Sequence, residues 1–251
     1  MATPSDPDPA ACARARLVLV RHGESVANAR GQFTGWRDPP LTVRGVEQAR
    51  LLGAELRRAG EAFDAVFCSA LQRAQATAVE IVRALGRDLV PVCDWRLNER
   101  HCGAFQGLAK DECKRRFGVD VVRAFRRDWH APPPPAAKGS RDDPRTDARY
   151  RGLAAPPLGE SLAGLADRVD AVWRERLLPA LLAGRRVLVV GHAISLRAIE
   201  RRLLAGSLRT AAAGPLGALD PRLPERLLGN CEYLAWRFPP PDGVPVSGCA
   251  I

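Results

Sequence analysis

Leu17-Val18-Leu19-Val20-Arg21-His22-Gly23-Glu24-Ser25 is a short apolar run that ends on a cation, an imidazole and a glycine. A run of that length with turn chemistry behind it reads as a strand buried on both faces. The pattern returns at Arg186-Val187-Leu188-Val189-Val190-Gly191, which ends on His192. The chain holds only four histidines: His22, His101, His130 and His192. Two of them at the ends of strand-like runs point to one site at the carboxyl edge of a sheet, where open α/β folds gather their chemistry. A neutral imidazole is a nitrogen nucleophile, and a neighbouring guanidinium supplies positive charge for phosphoryl oxygens. One strand-end histidine alone reads as readily as a core residue; Arg-His-Gly beside a second such histidine is the sharper signal.

Further apolar runs at 65–68 and 89–93 extend the set of buried strands, and Glu232 to Phe238 reads as a last one. Helical spacing falls between them. Thr42 is placed to cap a helix ending near Arg58, with Val46, Ala49, Leu52 and Leu56 on one face and Gly60 as its stop. Leu71 to Leu85 is a second helix closed by Gly86, Ser161 to Leu182 a third that Pro179 kinks or ends, and Ser195 to Leu204 a fourth. Strands alternating with helices predict an α/β architecture. Two stretches break the pattern. Residues 131–158 carry the proline run Pro132 to Pro135 and a polar, breaker-rich segment, the profile of a lid-like loop over a site, though equally of a surface insertion. Residues 239–251 read as a Pro/Gly-containing flexible tail, and 1–15, with acids and prolines, as a disordered leader.

At 251 residues and 46% hydrophobic content the chain is long enough to bury a full core. No apolar stretch approaches the roughly 18 to 20 residues of a membrane span, and the start lacks a signal-peptide pattern, so a cytoplasmic protein without membrane contact is expected. The seven cysteines include no Cys-x-x-Cys, which favours neither a disulfide framework nor a zinc site. Net charge is +10, yet only Lys110, Lys114 and Lys138 are lysines. The arginines are dispersed and no aromatic platform for bases accompanies them, so small anions rather than nucleic acid are the expected partners. No carboxylate-rich cluster of the kind that holds magnesium or manganese is present, and no metal is expected.

Leu19 to Ser25 together with Phe33-Thr34-Gly35-Trp36, Leu97-Asn98-Glu99-Arg100-His101, Gly103-Ala104-Phe105-Gln106-Gly107 and Arg126-Arg127 ahead of the prolines resembles the cofactor-dependent phosphoglycerate mutases of the histidine phosphatase superfamily. The likeness runs from about Leu17 to Phe238. It implies a three-layer αβα domain over 16–238 with a mixed, mostly parallel sheet. It also implies interconversion of 3-phosphoglycerate and 2-phosphoglycerate, primed by 2,3-bisphosphoglycerate and often carried out by dimers or tetramers. His22 would carry the phosphoryl group. Arg21, Arg73 and His192 would hold its oxygens, and Glu99 would act as general acid and base, which requires a carboxyl lifted toward neutrality. Asn28, Thr34, Gly35, Ala193 and Ile194 match positions that contact phosphate or substrate. Arg100, Lys110, Arg126 and Arg127 match a cationic ring for the carboxylate and second phosphate.

The chain departs from the family pattern at Ala27, at Cys102, at Ala193-Ile194 after the second histidine and at Gly229-Asn230-Cys231. Two other readings therefore stay open: a histidine-type phosphatase of phosphorylated small molecules, and a phospho-ligand-binding protein without catalysis.

Overall fold

In the computed structural model, which describes residues 14–204, 228–237 and 246–248, the chain begins with β1 (Arg16–Arg21), α1 (Val26–Ala29), α2 (Val43–Arg58), β2 (Ala65–Ser69), α3 (Gln72–Leu85) and β3 (Val92–Asp94). It continues through α4 (Lys110–Phe117), α5 (Val119–Arg127), α6 (Leu162–Val172), α7 (Leu178–Leu182), β4 (Arg186–Gly191), α8 (Ala193–Leu204), β5 (Tyr233–Arg237) and β6 (Val246–Gly248). The sheet order is β3-β2-β4-β1-β5-β6. β1 pairs parallel with β4, as do β2 with β4 and with β3, whereas β5 is antiparallel to β1 and β6 to β5. The expected three-layer architecture with a mixed, mostly parallel sheet is the one observed.

The continuous apolar character of β1 follows from its two covered faces. Leu17 and Leu19 join Val187 and Val189 against α6 and α8, with Leu165, Val169, Trp173 and Ile199 in the same cluster. Val18 and Val20 join Leu188 and Val190 on the other face, against Ala49, Leu52, Leu56, Ala78 and Ile81 of α2 and α3. Side chains alternate across a strand, so each strand feeds both cores at once. Gly53 lets α2 and α3 approach closely: a Cβ there would lie 2.7 Å from the Ala84 Cβ and from the Ile81 carbonyl oxygen. A third, smaller core of Phe105, Cys113, Val122 and Phe125 fastens the α4–α5 pair, with Phe33 against it.

Local signals place the helix ends where spacing predicts them. The Thr42 hydroxyl accepts from the Gly45 amide and caps α2, and Gly86 closes α3 in the left-handed conformation at φ 69°. Two expectations shift. The strand predicted at 89–93 is confined to Val92–Asp94, an edge strand: Val90 and Val92 are open to solvent, and only Leu89 of the apolar run packs partly against the core. The helix predicted from Ser161 to Leu182 is continuous in direction but changes winding. A π-helical turn over Trp173–Leu177 precedes Pro179, which has no amide to offer an α ladder. β6 falls inside the span expected to be a tail, and Ala15, expected in the leader at 1–15, is buried in the core; the rest of that leader before residue 14 and most of 239–251 lie outside the described residues. No helix among the described residues is long and apolar enough to cross a membrane.

Candidate active site

β1 and β4 deliver their histidines side by side. Arg21 is in register with Gly191, and the ladder extends one step further, with the His22 amide donating to the Gly191 carbonyl at 3.0 Å. The rings of His22 and His192 are consequently 4.9 Å apart, crossing at 61°. Both are buried. Burial lowers the pKa of each well below the ordinary histidine value, and the charges of Arg73 and Arg21 lower both further. Each imidazole is therefore neutral at neutral pH.

Hydrogen bonding assigns the tautomers. The Gly23 carbonyl lies 2.7 Å from His22 Nδ1 and can only accept, so Nδ1 carries the proton and Nε2 presents its lone pair. Around His192 the assignment runs through Asn98. The Asn98 Oδ1 accepts from the Ala70 amide at 3.0 Å and from the Ser69 hydroxyl at 2.8 Å, while Asn98 Nδ2 donates to the Tyr150 hydroxyl at 2.9 Å. With the Ser69 proton committed to Asn98, the Ser69 Oγ at 2.8 Å from His192 Nε2 is an acceptor, so Nε2 carries the proton. His192 Nδ1 is buried with no hydrogen-bond partner among the described residues.

The cations are held by their outer nitrogens. Arg73, which is 1% exposed, donates from Nη1 to the Arg37 carbonyl at 2.8 Å and from Nη2 to the Gly35 carbonyl at 2.9 Å. Arg21 donates from Nη1 to the Leu228 carbonyl at 2.6 Å. The Nε of each is buried without a partner among the described residues. Burial pushes the Arg73 pKa down to about 10, against the opposing charges of Glu99 and Asp38, which leaves it a cation at neutral pH. Glu99 is half-buried; its Oε1 accepts from the Arg100 amide at 2.8 Å, and its Oε2 faces the Ile194 amide at 3.5 Å.

The structure thus brings Arg21, His22, Arg73, Glu99, His192 and the Ala193-Ile194 turn together. Gly35 joins through its carbonyl on Arg73, and its φ of 54° and a Cβ position 2.2 Å from Gln106 Oε1 explain the absence of a side chain there. Thr34 is half-buried beside it. Asn28 closes a capping box with Ser25 and is tied to the centre by Asn230, whose Nδ2 donates both to Asn28 Oδ1 at 3.2 Å and to the His22 carbonyl at 2.9 Å. Lys110 opens α4 and Arg126 and Arg127 close α5, all three exposed. Arg100, expected in the cationic ring, has another post. Its guanidinium is 3.8 Å above the Phe125 ring and donates to the Glu160, Phe125 and Ala131 carbonyls at 2.7, 2.6 and 2.9 Å, so its donors serve backbone acceptors outside the regular ladders.

Spacing gave no sign of several supporting residues. Ser69 orients His192, Asn98 orients Ser69, and the Thr77 hydroxyl accepts from the Gly23 amide at 3.0 Å while donating to the Arg73 carbonyl at 2.7 Å. The buried Glu160–Arg168 pair, at 2.7 Å, holds the backbone that carries Glu99: Arg168 donates to the Asn98 and Glu99 carbonyls, and Glu160 accepts from the His101 amide. The lid-like loop is latched. Asp142 takes a bidentate pair from Arg37 at 2.6 and 2.7 Å, and Tyr150 is buried against Trp36 at 4.7 Å. No cluster of three or more His, Cys, Asp or Glu side chains suited to a metal occurs among the described residues.

Comparison with known proteins places these features in context. A profile described as histidine phosphatase superfamily (branch 1) matches residues 17–142. A 2,3-bisphosphoglycerate-dependent phosphoglycerate mutase from Treponema pallidum is 42% identical over 195 residues, 75% of this chain and 78% of the relative. Among solved structures, a mycobacterial hydrolase shares the fold with a TM-score of 0.67 at 23% identity, covering 94% of this chain and 97% of its own. A mycobacterial glucosyl-3-phosphoglycerate phosphatase complexed with VO3 aligns with a TM-score of 0.62 at 26% identity, covering 88% and 92%.

Proposed function

The chain belongs to the histidine phosphatase superfamily (branch 1), and on that premise we propose that it interconverts 3-phosphoglycerate and 2-phosphoglycerate through phosphorylated His22. The observation that carries the chemistry is the set of buried nitrogens around His22 that have no partner among the described residues: Arg21 Nε, Arg73 Nε and His192 Nδ1. A buried polar group without a partner costs free energy, of order 1–3 kcal/mol for a typical group; an incoming phosphoryl group accepts from the two guanidinium Nε–H groups, and from His192 Nδ1 once that nitrogen takes up a proton. The residues therefore fit a phosphate, including one of the two phosphates of 2,3-bisphosphoglycerate as primer.

The His22 Nε2 lone pair attacks phosphorus while Gly23 holds Nδ1–H and so stabilises the charge that forms on the ring. Arg21 and Arg73 neutralise the equatorial oxygens, and phosphoryl transfer asks chiefly for this positioning. Glu99, facing the same cluster, gives a proton to the departing oxygen and takes one from the attacking hydroxyl. Lys110, Arg126 and Arg127 are assigned to the carboxylate and outer phosphate, as the likeness to the mutases implies. The small phosphorylated substrate, a cytoplasmic setting and assembly as a dimer or tetramer belong to the same reading.

One observation favours a second reading. Arg100 is withdrawn from the cationic ring, which weakens the hold on a doubly anionic substrate and suits a phosphatase with one phosphate pocket. Turnover of 3-phosphoglycerate with and without added 2,3-bisphosphoglycerate, following the isomer and free phosphate together, separates them. Strong stimulation by the primer with little phosphate release is expected; steady phosphate release independent of primer would replace the mutase with the phosphatase. His22→Ala should abolish turnover and acid-labile phosphoprotein alike, and retained turnover would refute the nucleophile.

A further inference from the structure

β2 and β3 place two sulfurs against each other away from the catalytic cluster. Cys68 is opposite Cys93 in parallel register, with Sγ atoms 3.4 Å apart. Cys68 is fully buried in the core between the sheet and α2–α3, whereas Cys93 is exposed on the edge strand. We propose that Cys68 and Cys93 form a peroxide-sensitive dithiol that closes to a reversible disulfide and slows turnover. This goes beyond the proposed reaction and holds for any activity of the same site.

Three features make the pair competent. Neighbouring strands about 4.8 Å apart lie within the Cα span that disulfides accept. The sulfurs must close by roughly 1.3 Å to reach bonding distance, and β3 is free to give because it is short and paired on one side only. The contact with the Cys68 sulfur brings the Cys93 pKa down to about 7, which provides thiolate at an exposed position.

Hydrogen peroxide or an organic hydroperoxide is the oxidant. The Cys93 thiolate attacks one peroxide oxygen, the O–O bond breaks, and the departing hydroxide or alkoxide is protonated; Cys93 becomes a sulfenic acid. The Cys68 sulfur then attacks the Cys93 sulfur, the S–O bond breaks, and the leaving hydroxide takes the Cys68 proton to give water. Two thiols lose two electrons and two protons, and hydrogen peroxide becomes two waters. Both strands run directly into the site. β2 ends on Ser69, the partner of His192, and β3 continues through Trp95–Leu97 to Asn98 and Glu99. Drawing β3 toward β2 displaces Ser69 and Glu99 relative to each other.

The test uses the reduced full-length chain, treated with stoichiometric hydrogen peroxide, blocked by an alkylating agent and mapped by mass spectrometry, with turnover measured in parallel. A mass loss of about 2 Da, a Cys68–Cys93 cross-linked peptide and a turnover loss of about threefold or more, reversed by dithiothreitol, are expected. Cys93→Ser should retain basal turnover, form no cross-link and resist peroxide. Cys68→Ser should instead trap Cys93 as a sulfenic acid that a dimedone probe labels. Alkylation of both thiols after peroxide, a bridge mapped to another cysteine pair, or full cross-linking with unchanged turnover would overturn the proposal. The mass readout needs no assumption about the substrate, so a failed mutase assignment leaves it standing.

Discussion

In the proposed reaction His192 takes up a second proton only when its ligand arrives. Its Nε2 proton is fixed on Ser69, so Nδ1 meets a phosphoryl oxygen as a lone pair unless a second proton is added. In the free protein, burial and the charges of Arg73 and Arg21 oppose that proton. A phosphomonoester, dianionic above its second pKa of about 6, reverses the local field and draws it in. Titration of His22→Ala with 3-phosphoglycerate near pH 8, in buffers of different ionisation enthalpy, should therefore report uptake of about one proton per site. Uptake should vanish when His192→Gln is added; no uptake in the single variant would mean that Nδ1 stays neutral in the complex.

Two contacts between elements set how well the site is held. The first turn of α2 rests on the peptide after His22: a Cβ at Gly45 would lie 2.1 Å from the Glu24 carbonyl oxygen, and one at Gly23 2.3 Å from the Gly45 carbonyl oxygen. Gly45→Ala improves helix propensity by about 1 kcal/mol, yet must push the His22 loop aside. A fall in kcat of about tenfold or more with the fold retained is expected by steady-state kinetics and circular dichroism. The Asp142 latch ties the 131–158 loop to Arg37, whose carbonyl in turn receives Arg73. Asp142→Ala should cost about 1–3 kcal/mol and speed tryptic cleavage between Lys138 and Arg151; an unchanged cleavage rate would show that the loop is secured by its other contacts, such as Tyr150 on Trp36 and Arg149 on Asp38. The layered fold and the pairing of His22 with His192 were legible in the sequence because strand runs, caps and Arg-His-Gly are local patterns, whereas Arg73 and Glu99 were singled out only by the resemblance to the mutases. The post of Arg100 was not legible, since a guanidinium serving backbone carbonyls is spelled like one serving a substrate. Ser69, Asn98 and Asn230 were illegible as a group because three distant segments supply them.

At the scale of the molecule, stability carries the mark of the buried imidazoles. His22, His101 and His192 all have pKa values lowered by burial. The unfolded chain then binds more protons than the folded one below the ordinary histidine value of 6.5, so folding stability is present above it and falls with falling pH. Each such group contributes up to about 1.4 kcal/mol per pH unit across that window. The unfolding midpoint in urea should drop as pH is taken from about 7 to about 5, and less steeply in His101→Asn; a flat profile would contradict the neutral assignment. The net charge of +10 adds a long-range pull on anionic ligands that salt should weaken.

β1 is held by β4 on one side and β5 on the other, and none of Leu17 to Val20 has any solvent exposure. Fluctuations that fray edges or open surface loops leave such a strand untouched, and its amides exchange with solvent only through cooperative disruption of the whole sheet. His22, the proposed nucleophile, follows directly on the end of that strand. Whatever chemistry His22 performs therefore shares the lifetime of the domain itself.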